Sequence, residues 1–303
     1  DPNYALAWER IAHLNIRLPI NADASLRENW KEESGRALDR AMAAAPNSPS
    51  VLATAAVRHS FLHEWKEAEL LYQGAGDLSN EGLAPPLFNF ANYLSPAGRT
   101  PEAIELYEKA KEIEPLSGII AITLGSAYSS MKRYKDAEVQ FEQAFNLSPG
   151  RGVTPIIAGA NALAAGDPEL LAKWQSRERQ FPAPWSAMYE PIEDLNANDP
   201  NDRLQATKWL ESVLAVREAN SAGDPIDGSL AWTANLYGAP ELALTFFNRF
   251  PDEQAIWLPH YSAMRQLPGF KQVVRDLGLV DYWREFGWGE FCQPIADDDF
   301  ECH

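Results

Sequence analysis

Cysteine is nearly absent from this chain: Cys292 and Cys302 are the only two in 303 residues. A disulfide-stapled scaffold is therefore excluded, since such folds need many bridges to replace a core. The two thiols sit close together near the C-terminal end. They could form one disulfide that pins the tail, or stay free in a reducing compartment. Basic residues are also scarce, with 26 Lys and Arg against 43 Asp and Glu and a net charge of −17. That balance argues against nucleic acid as a partner of this segment, because phosphate neutralisation needs clustered cations. No apolar run approaches the roughly 20 residues that cross a bilayer, and no signal peptide is visible. Sequence motifs for catalysis are missing too: there is no phosphate loop, no Gly-x-Ser-x-Gly elbow and no cysteine beside a plausible catalytic histidine.

A periodicity is present instead. Ala103, Tyr107, Ala110 and Pro115 recur as Ala137, Phe141, Ala144 and Pro149, each displaced by 34 residues. The second copy also carries Leu124-Gly125, Tyr128 and Tyr134. This pattern resembles the tetratricopeptide repeat (TPR) family, in which each unit is a pair of antiparallel helices with small residues where they cross. The resemblance implies an all-α, right-handed TPR-like helical solenoid whose work is to hold other molecules. Further units follow from weaker copies of the pattern. The array spans 1–180, with repeats near 3–46, 49–80, 84–115, 118–149 and 152–182. Degenerate helical repeats occupy 181–252. A helical cap and acidic tail at 253–303 should cover the open end, with Trp283 and Trp288 anchoring it on the last repeat. Asp1-Pro2 reads as the end of a preceding repeat, which implies a longer parent.

A second resemblance lies in Leu267-Pro268-Gly269-Phe270, Leu277 to Arg284 and Gly289-Glu290-Phe291-Cys292. These look like the ending of the C-terminal TPR region of bacterial winged-helix transcription regulators or class III nucleotide cyclases. The resemblance implies a non-catalytic interaction or sensing module of a larger regulatory protein. The alternative it allows is the sensory half of a signalling enzyme or a small-molecule sensor. It leaves the compartment open between the cytoplasm and the periplasmic side of a membrane-anchored regulator.

TPR family positions that face the concave groove fall here on Arg10, His13, Arg17, Phe61, Phe88, Asn89, Asn92, Thr123, Ser126 and Ser129. The resemblance makes these the partner-binding groove, cationic at its start and mildly polar in the middle. An extended protein or peptide segment suits such a face. His59 and His63 lie four apart with Glu64 beside them, but no third ligand has a recognisable spacing, so helix packing or a solvated face is the expected role and no metal or cofactor is expected.

Overall fold

The computed structural model describes residues 4–17, 24–76, 82–181, 191–192, 195–220, 223, 225–296 and 299–303, with only the backbone described for 15–17, 24–31, 220 and 225. Asp1 and Pro2 lie outside them. The chain is a helical solenoid. Its pairs are α1 (Ala5–Arg17) with α2 (Ala24–Ala44), α3 (Pro49–Phe61) with α4 (Trp65–Ala75), and α5 (Ala84–Leu94) with α6 (Thr100–Ile113). They continue as α7 (Gly118–Ser130) with α8 (Tyr134–Leu147), and α9 (Val153–Ala165) with α10 (Pro168–Gln180). A long α11 (Pro200–Asn220) precedes a last pair, α12 (Pro225–Leu236) and α13 (Pro240–Arg249).

Small residues meet aromatic ones where the helices cross. Ala103, Tyr107, Ala110, Ala137, Phe141 and Ala144 are all buried. Gly125 is required there, because a Cβ on it would lie 2.7 Å from the Phe141 ring. In α10 the alanine pattern is lost and Trp174 fills the space, fully buried, with its indole Nε1 donating to Glu138 Oε2 at 2.9 Å.

The turn between first and second helices is the same object five times over. Its left-handed residue is His63, Gly98, Lys132, Gly166 or Gly238, with φ between 57° and 82°. The next amide closes the helix end by donating five residues back: Glu64 to His59, Arg99 to Leu94, Arg133 to Tyr128, Asp167 to Ala162 and Ala239 to Ala234, at 2.8–3.0 Å. This is a Schellman-type ending, in which glycine is the easiest residue to place. Stacked, these turns make one rim of the solenoid.

The C-terminal segment reaches further than the last repeat. It comprises a 3₁₀ turn (Pro259–Tyr261), α14 (Ser262–Arg265), α15 (Pro268–Asp276), α16 (Leu279–Phe286), and a hairpin of β1 (Cys292–Ala296) and β2 (Asp299–Cys302). It packs on α12 and α13 of the last pair and extends from there along the rim of turns of the second and third repeats. Trp257 Nε1 donates to the Pro96 carbonyl at 2.9 Å, and Trp283 Nε1 to the Ala97 carbonyl at 2.7 Å. Trp65 Nε1 donates to the Leu277 carbonyl at 2.5 Å, and the Glu290 amide to the Gly98 carbonyl at 2.9 Å. So Trp283 anchors the segment on the third repeat, not on the last. The indoles are drawn there because each turn offers carbonyls that a helix end leaves without intrahelical donors.

The acidic tail forms a hairpin, with Glu301 exposed in its second strand. Its two strands pair antiparallel with Cys292 opposite Cys302, and the two sulfur atoms are bonded at 2.00 Å. Phe300, in the second strand, is buried against Trp283 and Trp288. Asp299 pairs with Lys271 at 2.7 Å, while Asp297 and Asp298 lie outside the described residues.

Candidate functional site

The first helices of the repeats present the face expected to bind. Its residues divide into three groups. Phe61 is open, at 48% exposure, on the last turn of α3. Arg10 is exposed and lies 3.5 Å from Glu9, which in turn accepts from the Thr54 hydroxyl at 2.6 Å. His13 is half-buried, and the Arg17 side chain lies outside the described residues.

The second group is buried. Phe88, Asn89 and Ser129 keep 7%, 9% and 3% of their surface. Phe88 packs against the Tyr107 ring at 5.7 Å. These three side chains face neighbouring helices, so a partner reaches them only after a rearrangement. They fall on the consensus positions but tighten the stack.

The third group is half-buried and already hydrogen-bonded. Asn92 Oδ1 accepts from the Tyr107 hydroxyl at 2.7 Å, and burial pushes that phenol's pKa well above its ordinary value. The Asn92 backbone carbonyl, near the end of α5, accepts from Gln254 Nε2 of the C-terminal segment at 3.0 Å. Thr123 and Ser126 donate to the carbonyls of Ile119 and Ile122 one turn back, at 2.9 and 3.1 Å. Hydroxyls in mid-helix commonly bond this way, which uses the O–H and leaves the oxygen's lone pairs to accept from a ligand.

The candidate histidine pair is divided between two partners. His59 Nδ1 meets Glu64 Oε2 at 2.6 Å, whereas His63 Nε2 reaches Glu253 Oε1 of the C-terminal segment at 2.7 Å. Among the described residues no group of three or more His, Cys, Asp or Glu side chains is arranged to hold a metal ion, and no helix is long and apolar enough to cross a membrane.

What sequence reasoning missed is the network that joins the rim to the returning segment. Glu69, its side chain only 4% exposed, accepts from Arg99 Nη1 at 3.0 Å and from the Tyr282 hydroxyl at 3.0 Å. Arg99 Nη1 also donates to the Tyr282 oxygen at 2.8 Å. Burial and the nearby Glu69 push the Tyr282 pKa up to about 12, so it stays a donor at neutral pH. The only sequence signal was a glutamate at a position otherwise occupied by the buried face of α4.

Residues 120–151, which cover most of α7 and α8, match the tetratricopeptide repeat family model. That unit is a tetratricopeptide repeat, and the recurring turn and Ala/aromatic/Ala pattern carry the same construction to its neighbours. No curated protein matches the chain. Among solved structures, similarity is found to pilF of Pseudomonas aeruginosa, at 16% identity and a TM-score of 0.48, covering 85% of this chain and 97% of that one. A MamA protein structure shares 16% identity at a TM-score of 0.47, covering 61% and 95%. YrrB, described as a TPR protein with an unusual peptide-binding site, shares 15% identity at a TM-score of 0.46, covering 62% and 92%. No residue role is transferred from these structures.

Proposed function

We propose that this chain is a non-catalytic interaction module of a larger bacterial regulatory protein, and that it docks an extended peptide segment of a partner on its first-helix face. The observation that carries the reading is Phe61. A large aromatic side chain at 48% exposure on the first helix of the second repeat offers an apolar anchor, and Thr123 and Ser126, on the first helix of the fourth, keep acceptor lone pairs for a peptide backbone. Exposed aromatic anchors of this kind commonly dominate binding energy. The buried members, Phe88, Asn89 and Ser129, would set the shape of the face from beneath. A signalling role fits a fold whose rim is held by its own C-terminal segment, because a ligand on one face and a clasp on the other share the same helices.

The test is peptide selection against the chain, followed by titration of the selected peptides. Phe61→Glu and Thr123→Arg change accessible side chains and should leave the far-UV circular dichroism unchanged. Each is expected to weaken the best peptide by about tenfold or more, the scale of a lost anchor. Wild-type affinity retained in both variants, or no peptide selected at all, would overturn the assignment.

A further inference from the structure

We propose that the turn between α6 and α7 carries the docking face over the opposite rim, where second helices pass into the next repeat, and that it takes a basic apolar stretch of a partner protein. That stretch presents a bulky aliphatic or aromatic side chain flanked by Lys or Arg. The inference rests on the docking reading given above and names the chemistry of the segment that docks.

Leu116 is the most exposed large apolar side chain among the described residues, at 79%. Single exposed leucines are ordinary, but this one is not alone. Ile113, three residues before it, and Ile119, three after, are 37% and 41% exposed. Ile113 ends α6 and Ile119 lies in the first turn of α7, so the three flank one short connection. A grouped apolar surface of this kind marks a contact site. At the same place in other turns stand Asn47, after Pro46, and Gly150, after Pro149. Such residues suit a turn that faces water. Leucine there serves neither the turn nor the core.

The turn is also held in place. The Ser117 amide donates to the Glu114 carbonyl at 3.1 Å, and Gln143 Nε2 of α8 donates to the Pro115 carbonyl at 2.9 Å. Pro115 fixes its own φ. Gly118 lies tight against the next turn, where a Cβ would come within 3.1 Å of Ser148 Oγ. A partner therefore meets apolar surface that is already ordered, and little binding energy is lost in ordering it. Ile119 and Thr123 stand four apart on α7 and share one face of it, so the patch is continuous with the first-helix face.

Charge decides what kind of segment fits. Glu112 and Glu114 flank the patch, are exposed, and form no ion pair among the described residues. Over residues 100–117 five glutamates stand against two lysines. One of those lysines, Lys111, is turned to α8 and donates to Gln140 Oε1 at 2.6 Å. A second copy of the chain would bring the same glutamates against these, within a net charge of −17 on each copy. An anionic bilayer or a nucleic acid would be repelled by the same field. A segment with Lys or Arg beside its apolar side chain is attracted by it.

The experiment is selection from a random-sequence peptide library against the full chain. Calorimetric titration follows, with the best binder and with a copy whose Lys and Arg are replaced by Gln. The selected peptides should carry Lys or Arg beside a large apolar residue, and rising salt should weaken them. Leu116→Ser changes an exposed turn residue, so the fold should persist, and it should weaken the best binder by about tenfold. Glu112→Gln with Glu114→Gln should weaken it by about threefold, the size of exposed ion pairs, and should leave the Gln copy unaffected. Phe61→Ala reports on the docking reading by itself. If Phe61→Ala weakens binding and Leu116→Ser does not, the rim site falls and the first-helix face stands. The reverse pattern supports the rim site and removes Phe61. Neutral or acidic peptides among the selected, affinity unchanged in the glutamate double variant, or a dimer of the chain alone that Leu116→Ser dissolves would overturn the proposal. A selection that yields no peptide would overturn both readings.

Discussion

Gly98 and Gly289 face each other with no room for a side chain between them: a Cβ on Gly289 would lie 2.7 Å from the Gly98 carbonyl oxygen and 2.9 Å from its Cα. Both obstacles are backbone, so neither can swing aside. The neighbouring Glu290 amide uses that same carbonyl, at 2.9 Å. Gly289→Ala should therefore push the returning segment off the third repeat. The expected loss is about 1–3 kcal/mol, the cost of overpacking, read by urea unfolding followed through tryptophan fluorescence. Gly150→Ala is the control, because a Cβ there meets nothing within 4 Å; it should stay within about 0.5 kcal/mol of wild type. An equally stable Gly289→Ala protein would contradict the docking described above.

The Cys292–Cys302 bond closes a short loop, with ten residues of sequence separation. Alkylation in denaturant without reductant should leave both sulfurs unlabelled, and reduction should expose two thiols, as intact mass would show. Replacing both cysteines by alanine should cost at most about 3 kcal/mol by the loop-entropy estimate. The loss should appear first as faster proteolysis of the hairpin, since Phe300 still holds its far strand against Trp283 and Trp288.

Stability should also respond to pH through His63. The hydrogen bond to Glu253 raises its pKa above 6.5, against an opposing contribution from burial. A group whose pKa is raised by folding adds stability that is complete below its unfolded pKa and disappears as pH rises through the folded value. The bond between the second turn and the C-terminal segment should thus contribute at pH 6 and be lost by pH 9. With His63 39% exposed, the contribution stays below about 1 kcal/mol. His63→Asn keeps a residue that tolerates the positive φ of this turn. The difference in unfolding free energy between wild type and His63→Asn should be larger at pH 6 than at pH 9. The reverse order would refute the ion pair.

The array was legible because its signals are side chains at a fixed spacing. Ala137, Phe141 and Ala144 pack as the 34-residue displacement from Ala103, Tyr107 and Ala110 implies. Gly125 announces its own reason through the Phe141 ring. The return of the C-terminal segment was not legible, for a physical reason. Trp257, Trp283 and Trp65 donate to the carbonyls of Pro96, Ala97 and Leu277, and a backbone acceptor carries no side-chain identity. The hairpin was hidden too, because Gln293-Pro294-Ile295-Ala296 shows no two-residue alternation and is exposed throughout. On the first-helix face, consensus position did not foretell depth. Phe88 and Asn89 sit below the surface, and Thr123 and Ser126 bond to their own helix.

The fold-back of Trp257 and Trp283 onto Pro96 and Ala97 has a mechanical meaning. An open solenoid behaves as a spring: it stretches under load, melts from its ends, and can gain or lose a repeat with little penalty elsewhere. Here contacts across 161 and 186 residues tie a late coil of the spring to an early one. Inserting or deleting a 34-residue unit between Arg99 and Trp257 would move the two halves of that knot apart. The returning segment thus acts as a gauge that fixes how many repeats fit between its anchor points, and it makes distant repeats lose their structure together.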